Sequence, residues 1–319
     1  MQSWWDTETF GTTHNEIKPT SHEDRRAVKM LQRSTRLADG HFESPLLWKS
    51  DDASMPENRL GALRRLERTE QSLRKNPVKA AKYQETIESC IADGYARILS
   101  GVEVHEGSKK RWLLPHHAVS NPNKPGKIRV VFDAAAELNG TSLNQQLLTG
   151  PDLLQELSGI IIRFREKPIA IAGDIEQMFL QVCIQCQDRP ALSFLWRNME
   201  SNRPPDTYEM KKAIFSAKCS PAIASYALQR SMVGCPKSEP WNGEELAKQF
   251  YMDDYLASEK SPARASYLVQ TVTALAASGG FRLRKWTSNS RQMLASIQPT
   301  ERARTRTGIP RQPCPLSVS

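Results

Sequence analysis

Phe250-Tyr251-Met252-Asp253-Asp254-Tyr255-Leu256 is the stretch on which the reading of this chain turns. Aromatic and apolar residues flank a polar pair, a pattern that predicts two short strands around a tight turn with both carboxylates at the turn. Alone, an Asp-Asp pair is ordinary, because Asp is favoured in turns for its own backbone hydrogen bonding. A second stretch changes the weighing: Ile169-Ala170-Ile171-Ala172-Gly173 is a short apolar strand that delivers Asp174 at its end. An uncompensated carboxylate at the end of a buried strand is costly, and neighbouring carboxylates raise one another's pKa unless a cation intervenes.

Working outward, Ser220-Pro221 opens a helix running to about Met232, with a hydroxyl cap and Pro in the first turn. Pro262 to Ala277 is a further helix stopped by Gly279-Gly280, and Phe281 to Trp286 alternates as a last strand. From residue 169 the order is strand, strand, helix, hairpin, helix, strand: an α+β fold, with helices packed on one face of a sheet. Upstream, Asp152 caps a helix whose Leu153, Leu154, Leu157, Ile160, Ile161 and Phe164 form a broad apolar face. Trp112–Val119 and Lys127–Asp133 read as a hairpin around the turn-rich Asn121–Gly126. Asn58 and Asn76 each cap a helix, the second with Pro77 at its first position. Residues 1–57 read as an irregular leader with one helix from about Glu23 to Leu37. Residues 58–100 are a helical segment, 101–167 the hairpin region, 168–290 the sheet, and 291–319 a tail without core positions.

The 319 residues are 39% hydrophobic and 25% charged, enough for a sizeable core. Lys and Arg number 44 against 35 Asp and Glu, a net charge of +9 that favours a polyanionic partner without establishing one. Six Cys without regular spacing do not form a disulfide scaffold. The amino terminus lacks a secretory pattern, and the longest apolar runs fall far short of the roughly 20 residues a bilayer requires. These features predict an intracellular protein without a membrane partner.

Carboxylates presented by two strands at one end of a sheet form an oxygen-rich site suited to Mg²⁺ or Mn²⁺. Two such ions about 3.5–4 Å apart can clamp the attacking and leaving oxygens of a phosphoryl transfer. Tyr251-Met252-Asp253-Asp254 resembles the YxDD hairpin of reverse transcriptases, and Asp174-Ile175-Glu176-Gln177-Met178-Phe179 resembles their first palm motif. Longer strings resemble the Pao/BEL class of LTR retrotransposon polyproteins, in order from about residue 42 to residue 298. They are Trp112–Val119, Lys127–Ala135, Ser142-Leu143-Asn144, Arg163-Phe164-Arg165, Phe194–Arg197, Ala217–Pro221, Tyr226–Arg230 and Leu283–Ser290.

The resemblance implies reverse-transcriptase-like fingers and palm, the palm an antiparallel sheet, and an RNA-directed DNA polymerase acting on a primed RNA or DNA template with dNTPs. It implies two Mg²⁺ or Mn²⁺ ions held by Asp174, Asp253 and the carbonyl of Ile175, with Asp254 completing the catalytic trio by shaping the field. Lys124, Arg129, Ile175, Phe179 and Phe215 would meet the nucleotide, Phe179 as a steric gate against a ribose 2′-OH. From spacing alone Phe179 is a core aromatic. Tyr251, Met252, Arg284 and Trp286 would lie towards the primer. Other parts of a retroelement polyprotein would be partners, and a virus-like particle in the cytoplasm, or the nucleus, the compartment.

Departures accompany the resemblance. Ser216 stands where Gly is usual, Gln177 where Lys is common, and the chain ends soon after the last palm strand without a thumb or RNase H portion. A catalytically inactive remnant that only binds nucleic acid is therefore the alternative, and an interaction protein built on the first helices a third. Cys183-Ile184-Gln185-Cys186 has zinc-knuckle spacing but lacks a second pair. The last His is His117, which disfavours a Ser/His hydrolase around Ser216 or Ser220.

Overall fold

The computed structural model describes residues 21–105, 107–120, 128–236 and 240–303. Its first helix, α1 (His22–Ser34), starts with a capping box in which Ser21 and Asp24 satisfy each other's backbone donors. It stops short of Leu37 because the chain turns into a hairpin of β1 (Arg36–Ala38) and β2 (His41–Ser44), with Asp39 and Gly40 at positive φ. The expectation of an irregular leader fails over this described part. β2 pairs in parallel with β7 (Cys183–Ile184), and Leu46, Leu47 and Trp48 are buried. A single carboxylate fastens the segment. Asp188, 1% exposed, accepts from the Leu46 N–H (2.9 Å), Trp48 Nε1 (2.9 Å) and Lys110 Nζ (2.8 Å).

Two helices follow, α2 (Arg59–Arg74) and α3 (Pro77–Ala92). Asn76 caps α3 as its sequence predicts, accepting from Lys79 N–H, and Gly94 takes up positive φ just beyond the helix end. Asn58 makes no cap bond. Its amide instead pairs with both backbone groups of Leu113, which joins the start of α2 to the segment before the hairpin. That hairpin is β4 (His116–Ser120) with β5 (Ile128–Phe132), antiparallel. A three-stranded sheet runs β3 (Ala96–Ile98), β9 (Asp206–Met210), β8 (Ser193–Trp196).

After the short α4 (Gly101–His105) and α5 (Leu143–Gln146) comes α6 (Leu157–Arg165), which starts four residues later than a cap at Asp152 predicts. Asp152 accepts from the N–H of Leu154 two residues on, a turn rather than a helix cap, and within α6 only Ile160 is buried. The central sheet is antiparallel, in the order β10 (Phe250–Tyr251), β11 (Asp254–Glu259), β6 (Ile169–Ile175), β12 (Leu283–Ser288). β6 buries Ile171, Gly173 and Ile175 and leaves Ala170, Ala172 and Asp174 half-exposed, so one face of the sheet is core. α7 (Ser220–Val233) and α9 (Pro262–Ser278) supply the helical layer, with the short α8 (Gly243–Ala247) against α7. The cap of α7 differs from expectation: Cys219 holds the cap position without a side-chain bond, and Ser220 Oγ donates to the carbonyl of Ile214 (2.6 Å). Core also continues past Ser290, because α10 (Arg291–Ala295) buries Met293 completely. No described helix is long and apolar enough to cross a membrane.

Candidate active site at the end of the central sheet

The three carboxylates reach one end of the central sheet by strand register. β11 pairs with β6 so that Asp254 stands directly opposite Asp174, and Tyr255 opposite Gly173. The β10–β11 turn closes through Met252 at φ +52°, and the Ile175 N–H donates to the carbonyl of Asp253 (2.7 Å). Asp253 is thus tied by backbone to the residue after Asp174. Beneath them Gly173 has a specific reason to be Gly: a Cβ there would sit 2.8 Å from the indole ring of Trp286. That close approach places the Trp286 ring under the strand carrying Asp174, where it also meets Tyr255 edge-on at 6.0 Å.

The electrostatics follow from this clustering. Burial raises the pKa of Asp254, the charges of Asp253 and Asp174 raise it further, and Lys285 opposes them. Lys285 is the residue that sequence reasoning missed. Its Nζ lies 2.8 Å from Asp174 Oδ2, brought there by an irregularity of β12 between Arg284 and Thr287 in which Lys285 adopts φ +55°. The available signal is the spacing of Leu283 and Trp286. Both are buried although three apart, an odd separation that a regular strand cannot place on one face.

The three carboxylates offer oxygen donors of the kind a hard divalent cation takes. Among the described residues no three His, Cys, Asp or Glu side chains converge on one point, and Asp174 is engaged by Lys285.

The remaining predicted residues are placed differently from one another. Phe179 and Phe215 come together, their rings edge-on at 5.5 Å. Phe179 is half-buried against the core after Gln177 turns the chain at φ +51°, whereas Phe215 is 74% exposed. Tyr251 is half-buried opposite Asp254, and Met252 borders a small cleft with Leu154, Leu228 and Phe250.

Arg129 and Arg284 are placed but not joined to the carboxylates. Arg129 is exposed on β5, in a separate two-stranded sheet. Arg284 directs its guanidinium at Glu176 (2.8 and 3.0 Å) and lies 3.4 Å from Glu301. Lys124 lies outside the described residues. Trp286 is corrected outright: at 2% exposure its side chain belongs to the core beneath Gly173 and has no surface to offer a primer.

Ser216 also departs from expectation, because its backbone is not among the described residues at positive φ and requires no glycine. Its hydroxyl donates to the carbonyl of Phe132 and its carbonyl accepts from Asn144 Nδ2 (2.9 Å), which fastens the end of β5 to the loop carrying Phe215. Cys183 accepts from Lys212 Nζ (3.2 Å) and Cys186 is exposed, an arrangement without a second ligand pair for zinc.

No family model matches the chain, and no curated protein matches it. Solved structures of foamy viral protease–reverse transcriptase are similar at the level of coordinates. One in complex with an RNA/DNA hybrid shares 13% identity over 83% of this chain and 31% of its own, with a TM-score of 0.49. One in complex with dsDNA gives 13%, 84%, 48% and 0.49. The foamy viral dRH form in complex with ds DNA gives 15% identity and a TM-score of 0.48, over 64% of this chain and 30% of its own. The chain therefore spans about a third of the length of the first of these relatives, and at such identities no residue role passes from them to it.

Proposed function

We propose that the chain is the fingers-and-palm part of an RNA-directed DNA polymerase of the Pao/BEL retrotransposon class. The observation that carries this reading is the register that sets Asp254 opposite Asp174 with Asp253 in the adjoining turn, at one end of the central sheet. In this reading Asp174, Asp253 and the carbonyl of Ile175 hold the ions, and Asp254 adds negative field beside them. Two Mg²⁺ or Mn²⁺ ions, when bound, would neutralise charge on the transferred phosphoryl and assist ionisation of the primer 3′-hydroxyl. The Phe179–Phe215 contact supports a nucleotide subsite, with Phe179 backed by core and Phe215 free to stack. Lys124 and Arg129 would hold the triphosphate from the hairpin, and Tyr251, Met252 and Arg284 would face the primer strand.

The test is incorporation of labelled dTTP on oligo(dT)·poly(rA) with Mg²⁺ or Mn²⁺ at low salt. Activity should be present in the chain and fall at least about a hundredfold in Asp253→Asn, the order expected when transition-state charge loses its stabilisation. Equal binding of primed template by both proteins, with no extension by either, would return the chain to the alternative: an inactive remnant that binds nucleic acid.

A further inference from the structure

We infer that Lys285 is a tethered counter-cation of the carboxylate site, which holds Asp174 while no divalent ion is bound and must release it for an ion to enter. This rests on the metal-site reading above and adds a residue that the reading does not contain.

The geometry of β12 is arranged around this contact. Arg284 is the strand partner of Asp174, so in a regular strand Lys285, the next residue, would point to the opposite, buried face. The irregularity between Arg284 and Thr287 re-aims it: Lys285 swings to the open face, and Trp286 takes the buried position. The backbone accepts a left-handed conformation to achieve this, φ +55° at a residue with a long side chain, a strain that persists only where the surroundings enforce it.

The other cations nearby are committed elsewhere. Arg284 and Arg282 both pair with Glu176 and Glu301. Among the described residues the ion pair of Lys285 is with Asp174, at 2.8 Å. Its side chain is 62% exposed, so the flexible four-carbon stem can swing into solvent without unpacking anything. An ammonium and a divalent ion on one carboxylate oxygen repel each other, so the two states exclude one another.

Mn²⁺ provides the probe. Free Mn²⁺ would be measured by electron paramagnetic resonance against EDTA-stripped full-length chain, for the parent, Lys285→Met, Lys285→Arg and Asp253→Asn. Met keeps about the length and the backbone cost of residue 285, at a side chain that is 62% exposed. Asp253→Asn should weaken Mn²⁺ binding at least about tenfold. Lys285→Met should tighten it about two- to fivefold, the scale of an exposed ion pair, whereas Lys285→Arg should stay within about twofold of the parent. In EDTA the Lys285→Met chain should melt below the parent, and saturating Mn²⁺ should close that gap. Mn²⁺ binding that depends on Asp253 but is unchanged or weaker in Lys285→Met overturns the role of the lysine and leaves the metal site standing. Absence of any Asp253-dependent Mn²⁺ binding overturns both.

Discussion

Two clusters of ionisable groups in this chain obey opposite rules. Between α2, α3 and β8, Glu70 and Arg197 form a two-pronged pair (2.9 and 2.6 Å) with side chains 2% and 8% exposed. Nearby, His116 is wedged among Tyr83, Phe132, Phe194 and Trp196. Here opposite charges match, and both nitrogens of His116 have partners. At the end of the central sheet three carboxylates cluster with one ammonium, which pairs with Asp174, Asp254 is pushed towards its neutral form by burial and its neighbours, and Met252 and Lys285 both sit at positive φ. The first cluster spends its chemistry on holding the fold. The second gathers more carboxylates than the one ammonium paired there, the arrangement on which the proposed cation site rests.

The comparison breaks most readily at Glu70. Removing one partner of a buried pair leaves an uncompensated charge, so Glu70→Ala should cost about 3–5 kcal/mol. Replacing both partners with apolar residues of similar volume, Glu70→Met with Arg197→Leu, should recover most of it. Urea denaturation of the three proteins decides the point. If the single and double variants are equally destabilised, packing and not charge dominates there.

His116 gives the next effect. The carbonyl of Leu195 can only accept, so Nε2 carries the proton and Nδ1 accepts from the Tyr83 hydroxyl; the ring is neutral in the fold. Burial pushes its pKa down to about 4, an effect its bond to Leu195 only partly offsets. Because the folded value lies below the unfolded one, the contribution is complete above about pH 6.5 and is lost as pH falls from there to about 4. Between pH 7 and pH 5 the chain should lose about 2 kcal/mol through this group. A His116→Gln variant should show a flatter dependence across that interval, and an equally steep one would assign the loss to other groups.

How much of this can be read from residues alone depends on the range of the interactions. The Asp-Asp turn, the strand ending in Asp174 and the Asn76–Pro77 helix start are local, written in turn chemistry and period, and all are legible. Residues 36–48 look featureless because their partners are remote: the Asp188 carboxylate that binds Leu46 lies 142 residues away. Lys285 and Trp286 exchange faces because of one irregularity, and alternation applied without it puts both on the wrong side. His116 shows the same limit. Its strand position is readable, but its burial requires α3 to cover it with Tyr83, a contact between elements that no window of sequence contains.

The smallest effect sharpens the contrast between the clusters. Arg284 and Glu176 make the same type of guanidinium–carboxylate pair as Arg197 and Glu70, yet their side chains are 28% and 36% exposed. Water and salt therefore screen the attraction, and each charge keeps much of its hydration when the other is lost. Arg284 also retains Glu301 at 3.4 Å if Glu176 is removed, so no charge is stranded. Glu176→Gln should shift the melting temperature by no more than about 2 °C. In 1 M salt, where the screening length is about 3 Å, the shift should vanish, whereas the Glu70 effect should survive. A salt-resistant loss at Glu176 comparable to that at Glu70 would mean that the end of the central sheet is built for stability after all, and that the surplus of charge there is balanced through the arginines of β12.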